Sequence, residues 1–264
     1  MELKKLSSEV VQIVKEVGSF IREEHKVFSK ANVQFKSDHA HDLVSYVDIT
    51  AEKLLIEKLG GIFPEAGFIA EESHTEYRDG LNWIIDPLDG TTNFIQRVPH
   101  FCVSVALADG EDLLIGVVYE INRDECFYTW KGGGSFCNDD RISVSNVSDL
   151  RNSFVATGFS VKNTEKLPAN LELLKIWISK TRGIRRLGTA ALDLCYVAKG
   201  VFDVFYETNL SAWDVAAGAL IVQNAGGRVS TFSGGADFLF GDEIIATNAL
   251  LNQVFLSEIE PLNQ

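Results

Sequence analysis

The chain has 264 residues, 46% hydrophobic and 23% charged, a composition that supports a sizeable buried core and excludes a disordered or fibrous protein. Its 37 Asp and Glu against 24 Lys and Arg give a formal charge of -13, which repels polyanions and excludes nucleic acid or an acidic membrane surface as the natural partner. A small anionic substrate stays compatible with this charge if some of the carboxylates hold cations that reverse the local sign.

From the N-terminus, Leu3, Leu6, Val10, Ile13, Val14, Val17, Phe20 and Ile21 recur at helical spacing. Acidic residues among them, and the lack of an uninterrupted apolar run, argue against a signal peptide, and no stretch approaches transmembrane length. A polar loop at 29–42 carries Lys36, His39 and His41, and a second helix is expected over about 45–59, stopped by Gly60-Gly61. Trp83-Ile84-Ile85-Asp86 reads as a short buried strand ending in a carboxylate, with Pro87 preventing the ladder from continuing. Segments 102–107, 113–119 and 125–130 predict an antiparallel meander. Lys131-Gly132-Gly133-Gly134, which looks suited to phosphate, is better read as a hairpin turn between apolar strands.

The second half alternates strand 154–157, helix 167–180, helix 189–199, strand 202–206, helix 213–225 and strand 244–246, an α/β arrangement. Two closely joined subdomains are expected: residues 1–145, α+β with an antiparallel sheet, and residues 146–264, α/β, with no low-complexity linker between them. Cys102, Cys126, Cys137 and Cys195 are scattered without a Cys-x-x-Cys pair, which favours packed, reduced thiols in a cytoplasmic protein and makes zinc an improbable ligand.

Carboxylates stand beside breaks in regular structure at Glu71-Glu72, at Asp86 and Asp89, and at Asp214. Each has an ordinary structural explanation: Asp89 as the N-cap of a helix starting at Gly90, Asp214 as a first-turn acid, Glu71 as a solvated loop residue. Capping needs one acid, however, and here two flank a proline ahead of Gly90-Thr91-Thr92-Asn93. Gathered carboxylates call for protons or cations, and oxygen ligands without a nearby cysteine favour magnesium or manganese. Gly90, Thr91 and Thr92 would open a helix or turn whose backbone N–H groups can receive a phosphate.

Glu71-Glu72-Ser73, Asp86-Pro87-Leu88-Asp89-Gly90-Thr91-Thr92-Asn93-Phe94 and Trp213-Asp214-Val215-Ala216-Ala217-Gly218 together resemble the signatures of the inositol monophosphatase family, a magnesium-dependent, lithium-sensitive group of phosphatases. Residues 42–48, 132–138 and 188–191 extend the resemblance to nearly the whole chain. It implies a layered α-β-α-β-α sandwich of the sugar-phosphatase type. It further implies two or three magnesium ions, replaceable by manganese, held by Glu71, Asp86, the Leu88 carbonyl, Asp89 and Asp214. Asp48, Thr91 and Glu71 become the catalytic group, with Asp48 and Thr91 orienting a water for in-line attack on the phosphorus and no phosphoenzyme formed. Asp48 also fits a capping box with Ser45, and the two roles can coexist.

The resemblance places Gly188, Thr189, Ala190 and Glu207 against the substrate, an inositol monophosphate or related polyol or sugar phosphate, and Lys36 near the metals. It implies a homodimer inhibited by lithium, with no nucleic acid or membrane partner. Related families act on fructose bisphosphate, 3′-phosphoadenosine phosphate or NADP. The adenosine branch usually shows Lys-Glu-Phe where this chain has Thr92-Asn93-Phe94. A non-catalytic phosphate-binding regulator would be expected to lack a ligand, and none of the expected carboxylates is missing. His39 and His41 depart from the commonest family pattern; their spacing suggests a transition metal, but without a further ligand they read as a solvated loop.

Overall fold

In the computed structural model, which describes residues 2–29, 33–35, 43–73, 78–159 and 166–259, the periodic N-terminal run forms helix α1 (Leu3–Val27), burying Val10, Val14, Val17 and Ile21 along one face. Within the stretch expected to be a loop, β1 (Val33–Phe35) pairs antiparallel with β2 (Leu43–Ser45). The β-branched and aromatic residues of these segments favour extended backbone, a signal that the polar residues between them outweigh in the sequence. Lys36, His39 and His41 lie outside the described residues. Helix α2 (Tyr46–Ile62) runs through Gly60-Gly61 and ends where Phe63 N–H donates to Leu59 O. The expected glycine stop fails because neither glycine takes a positive φ, and glycine in a last turn costs only about 1 kcal/mol.

Strands β3 (Gly67–Ala70), β4 (Leu81–Asp89), β5 (Cys102–Asp109), β6 (Asp112–Glu120), β7 (Glu125–Trp130), β8 (Gly134–Cys137) and β9 (Asp140–Ile142) form one sheet in that order. Only β3 and β4 pair parallel in it. Between β4 and β5 lies the short helix α3 (Thr91–Gln96). Beyond residue 145 come β10 (Phe154–Thr157), α4 (Leu167–Lys180), β11 (Gly183–Arg185), α5 (Ala190–Ala198), β12 (Val204–Thr208), α6 (Ala212–Asn224), β13 (Arg228–Ser230), β14 (Glu243–Thr247) and α7 (Asn252–Ile259). A second, five-stranded sheet has the order β11-β10-β12-β14-β13.

Alternation along the strands assigns each face its layer. On β4, Trp83 and Ile85 pack with α1 and α2, while Ile84 faces α5 and α6. On β12, Phe205 faces α5 and α6, while Val204 and Tyr206 pack with Trp177 of α4 and Phe255 of α7. The result is α1/α2, sheet, α5/α6, sheet, α4/α7: the α-β-α-β-α sandwich expected from the sequence. All four cysteines are buried and free, and among the described residues no helix is long and apolar enough to cross a membrane.

The middle layer is packed backbone to backbone. A Cβ on Gly116 of β6 would stand 2.7 Å from Ala217 O of α6, and one on Gly218 would stand 2.6 Å from Leu194 Cβ of α5. Gly116→Ala should therefore lower unfolding stability by about 1–3 kcal/mol through overpacking. Urea denaturation will report this as a lower midpoint at unchanged slope, and an unshifted midpoint would mean the layers can part.

Candidate active site

Asp86 of β4 pairs with Ser104 of β5 and Asp89 pairs with Cys102, so three steps along β4 oppose two along β5. This is a one-residue bulge. In a regular strand, residues three apart face opposite sides; the bulge absorbs one step and turns both carboxylates to the side shared by Ser104 and Cys102. The strand thus continues past Asp86, correcting the expected stop: Pro87, which has no N–H to offer, sits in the bulge where the ladder is already interrupted. Leu88 N–H donates to Asp86 Oδ1 at 3.0 Å.

Gly90, with φ 93°, is the N-cap of α3. A Cβ there would lie 2.5 Å from Thr189 Cγ2, so glycine is required by both the backbone and the neighbour. Asp89 is not the cap; its Oδ2 accepts from Ala191 N–H in the first turn of α5 at 2.9 Å. Asp48 and Asp214 each do form a capping box, at the starts of α2 and α6. Ser45 N–H and Oγ donate to Asp48 Oδ2 at 2.9 and 2.6 Å, and Ser211 N–H donates to Asp214 Oδ2 at 2.6 Å. Thr91 Oγ1 lies 3.0 Å from both Asp48 Oδ1 and Leu88 O. The first turns of α2, α3, α5 and α6 therefore all contribute to one site.

Electrostatics places the acids in a common basin. Burial first, then the charges of Glu71, Asp89 and Asp214, push Asp86 well above the usual carboxylate range. Asp89 rises for the same leading reason, then through Asp214, Glu207 and Glu71, against the Ala191 N–H that favours its charged form. Glu71 follows β3, its N–H bonded to Ile85 O at 3.3 Å. Glu207 is pushed up to about 8 by burial and then by Asp214, with Arg186 opposing. Its carboxyl occupies the space where a Cβ on Gly158 would project.

The donors around this basin are carboxylate and carbonyl oxygens; the thiol of Cys102, 3.9 Å from Asp89 Oδ2, is kept protonated by burial. Such a set fits a hard divalent cation, which would relieve the repulsion that raises the aspartates. Among the described residues no three acidic, histidine or cysteine side chains already close on a single point as a finished cage.

The wall facing the acids is built from both halves of the chain. Asn93 Nδ2 donates to His100 O and Leu187 O, each at 2.9 Å, and Thr189 Oγ1 pairs with His100 Nε2 at 2.8 Å. Burial and then Arg123 press His100 down to about 4, so it is neutral near pH 7. Gly188, with φ 90°, lies beside Arg186 and Asn93, next to Thr189 and Ala190. Sequence reasoning missed three contributors. His100 carries no motif, and the Ala191 N–H has no side-chain signal at all. Asp193 has one, since an acid inside Ala-Ala-Leu-Asp-Leu-Cys is out of place; it is buried beside Glu207 and Asp89.

Known proteins resemble this chain over nearly its whole length. A sequence profile described as the inositol monophosphatase family matches residues 2–263. The Nus factor SuhB of Pasteurella multocida is 37% identical over 253 residues, 95% of this chain and 94% of its own. The inositol-1-monophosphatase of Mesorhizobium japonicum is 39% identical over 231 residues, 87% of each chain. Among solved structures, the extragenic suppressor protein suhB of Bartonella henselae superposes with a TM-score of 0.90 at 36% identity, covering 96% of this chain and 97% of its own.

A buried carboxyl raised to about 8 gives a signed expectation. Between about pH 4.5 and about pH 8 the folded chain keeps a proton on Glu207 that the unfolded chain has lost, so stability falls as pH rises through that window. Asp48, Asp86, Asp89 and Asp193 are raised as well and add the same sign. His100, held down to about 4, adds the opposite sign below about pH 6.5, so the decline is cleanest between about pH 6.5 and 8. Thermal melts in chelator should show Tm declining across this range, and Glu207→Gln should flatten the slope. A Tm that climbs with pH would contradict the assigned burial.

Proposed function

Because the chain belongs to the inositol monophosphatase family, we propose that it is a magnesium-dependent phosphomonoesterase acting on inositol monophosphate or a related polyol or sugar phosphate. The observation that carries this reading is the bulge at Pro87, which turns Asp86 and Asp89 to one face, in the field of Glu71 and Asp214. Glu71, Asp86, the Leu88 carbonyl, Asp89 and Asp214 would hold the cations. When bound, magnesium supplies positive charge against the phosphate and the departing alcohol and lowers the pKa of water.

The rest falls to the chain's own groups. The Thr91 hydroxyl has one proton and two acceptors within 3.0 Å. Donating it to either leaves oxygen lone pairs on Thr91 and Asp48 to accept from a water and hold it in line with the phosphorus. Gly90, Thr91 and Thr92 offer backbone N–H groups to the phosphate. Glu207, protonated near neutrality, can both donate to and accept from a polyol hydroxyl, with Gly188, Thr189 and Ala190 shaping the adjacent wall. Lys36 keeps its proposed place near the metals. A division near residue 145, a homodimer, sensitivity to lithium and a cytoplasmic setting belong to the same reading. So do a tolerance for manganese and the absence of direct nucleic acid contact that a charge of -13 favours.

Fructose bisphosphate, 3′-phosphoadenosine phosphate and NADP are the competing substrates. A relative named as a Nus factor, and not by an activity, favours a second reading in which the chain also serves as a binding factor. Phosphate release across an equal-concentration panel of these esters, with and without magnesium, separates the cases. Release should require magnesium and be greatest with a polyol or sugar monophosphate, and Asp89→Asn should cut it by more than about a hundredfold. An undiminished rate in that variant removes the assignment; ester binding without release by the wild type leaves the binding factor.

A further inference from the structure

We propose that Lys199 and Cys137 form an oxidant-driven covalent bridge, Nζ to Sγ, that fastens the middle helical layer to the seven-stranded sheet. Lys199 is the C-cap of α5. Its Nζ donates to Cys137 Sγ on β8 at 3.6 Å and to Glu125 Oε1 on β7. Lys199 Nζ also stands over the Phe127 ring, 5.6 Å from its centroid. Glu125 Oε2 is buried without a hydrogen-bond partner, so the carboxylate is committed to Lys199 through its other oxygen. A cavity of about 230 Å³, lined in part by Glu125, Lys199, Tyr196 and Phe202, opens beside the Lys199–Glu125 pair. Cys102, Cys126 and Cys195 are 0% exposed and Cys137 is 6% exposed, so Cys137 is the most accessible of the four thiols to a small oxidant. Burial pushes the Cys137 thiol up, and the Lys199 ammonium beside it opposes that push.

The chemistry balances with hydrogen peroxide as oxidant. The Cys137 thiol and one peroxide give a sulfenic acid and one water, the sulfur losing two electrons to the peroxide. The Lys199 ammonium, which Glu125 holds in its charged form, must first release a proton to solvent. The freed amine then attacks sulfur, an N–S bond forms as the S–O bond breaks, and the hydroxide leaves as water with a second proton from nitrogen. Excess thiol reverses the product by reducing the N–S bond to amine and thiol, its own sulfurs becoming a disulfide. The bridge is independent of any hydrolytic activity.

The test treats the purified full chain with hydrogen peroxide, blocks remaining thiols, digests with trypsin without reductant and weighs the peptides. A modified Lys199 resists cleavage, so segment 132–141 should appear joined to segment 187–228 at the summed mass less two hydrogens, plus the blocking group on Cys195. Dithiothreitol should separate them. Cys195→Ser should retain the joined species, which distinguishes it from a disulfide within the same segments. Cys137→Ser should lose it, as should Lys199→Arg, which keeps a cation beside Glu125. Complete cleavage after Lys199 in peroxide-treated wild type overturns the proposal, whether Cys137 is then unmodified, halted as an oxyacid or paired with Cys195.

Discussion

Buried Asp86 and Asp89 share one basin with the half-buried Glu71 and Asp214, and the repulsion among them is the constraint to which the surrounding structure answers. Desolvating several carboxylates together is costly unless something offsets their charge. Four helices begin at this basin, α2, α3, α5 and α6, and the positive ends of their dipoles face the acids. Ala191 N–H supports Asp89, while Ser45 and Ser211 support Asp48 and Asp214 through capping boxes. These groups moderate the repulsion, yet burial still holds Asp86 and Asp89 well above the ordinary carboxylate range. What remains is an excess of negative charge that a hard cation would offset.

Much of this was legible in the residues because it rests on short-range pattern. Helix α4 has its expected bounds, and the β5-β6-β7 meander follows from alternation between turn clusters. The bulge was not legible in the same way. A proline in an apolar run reads as a stop, and only the pairing with Ser104 and Cys102 reveals that the strand resumes with its phase shifted by one residue. The two aspartates look like neighbours in sequence, but a regular strand would have set them on opposite faces. Strands β1, β11 and β13 have three residues each, too few for a period to emerge.

The site's wall lay further from view. Asn93 stands within a motif, but its work is to tie His100 O to Leu187 O, two carbonyls far apart in the chain. The pairing of His100 with Thr189 depends on tertiary placement alone. Glu207 was recognisable by position, whereas the absence of a side chain at Gly158 that makes room for its carboxyl was not. Side chains defined by chemistry could be found by reading; those defined by the space they leave could not.

The tight seating of α6 on β6 bears on how such a protein can diverge. With Gly116 against Ala217 and Gly218 against Leu194, the middle layer has no slack through which a distant substitution could shift Asp214 relative to Asp86 and Asp89. Under the proposed function, change in substrate preference would then fall to the rim, to Arg186 through Ala190 and the ground around Glu207. The acidic interior would be inherited as a block, leaving the rim as the part free to vary.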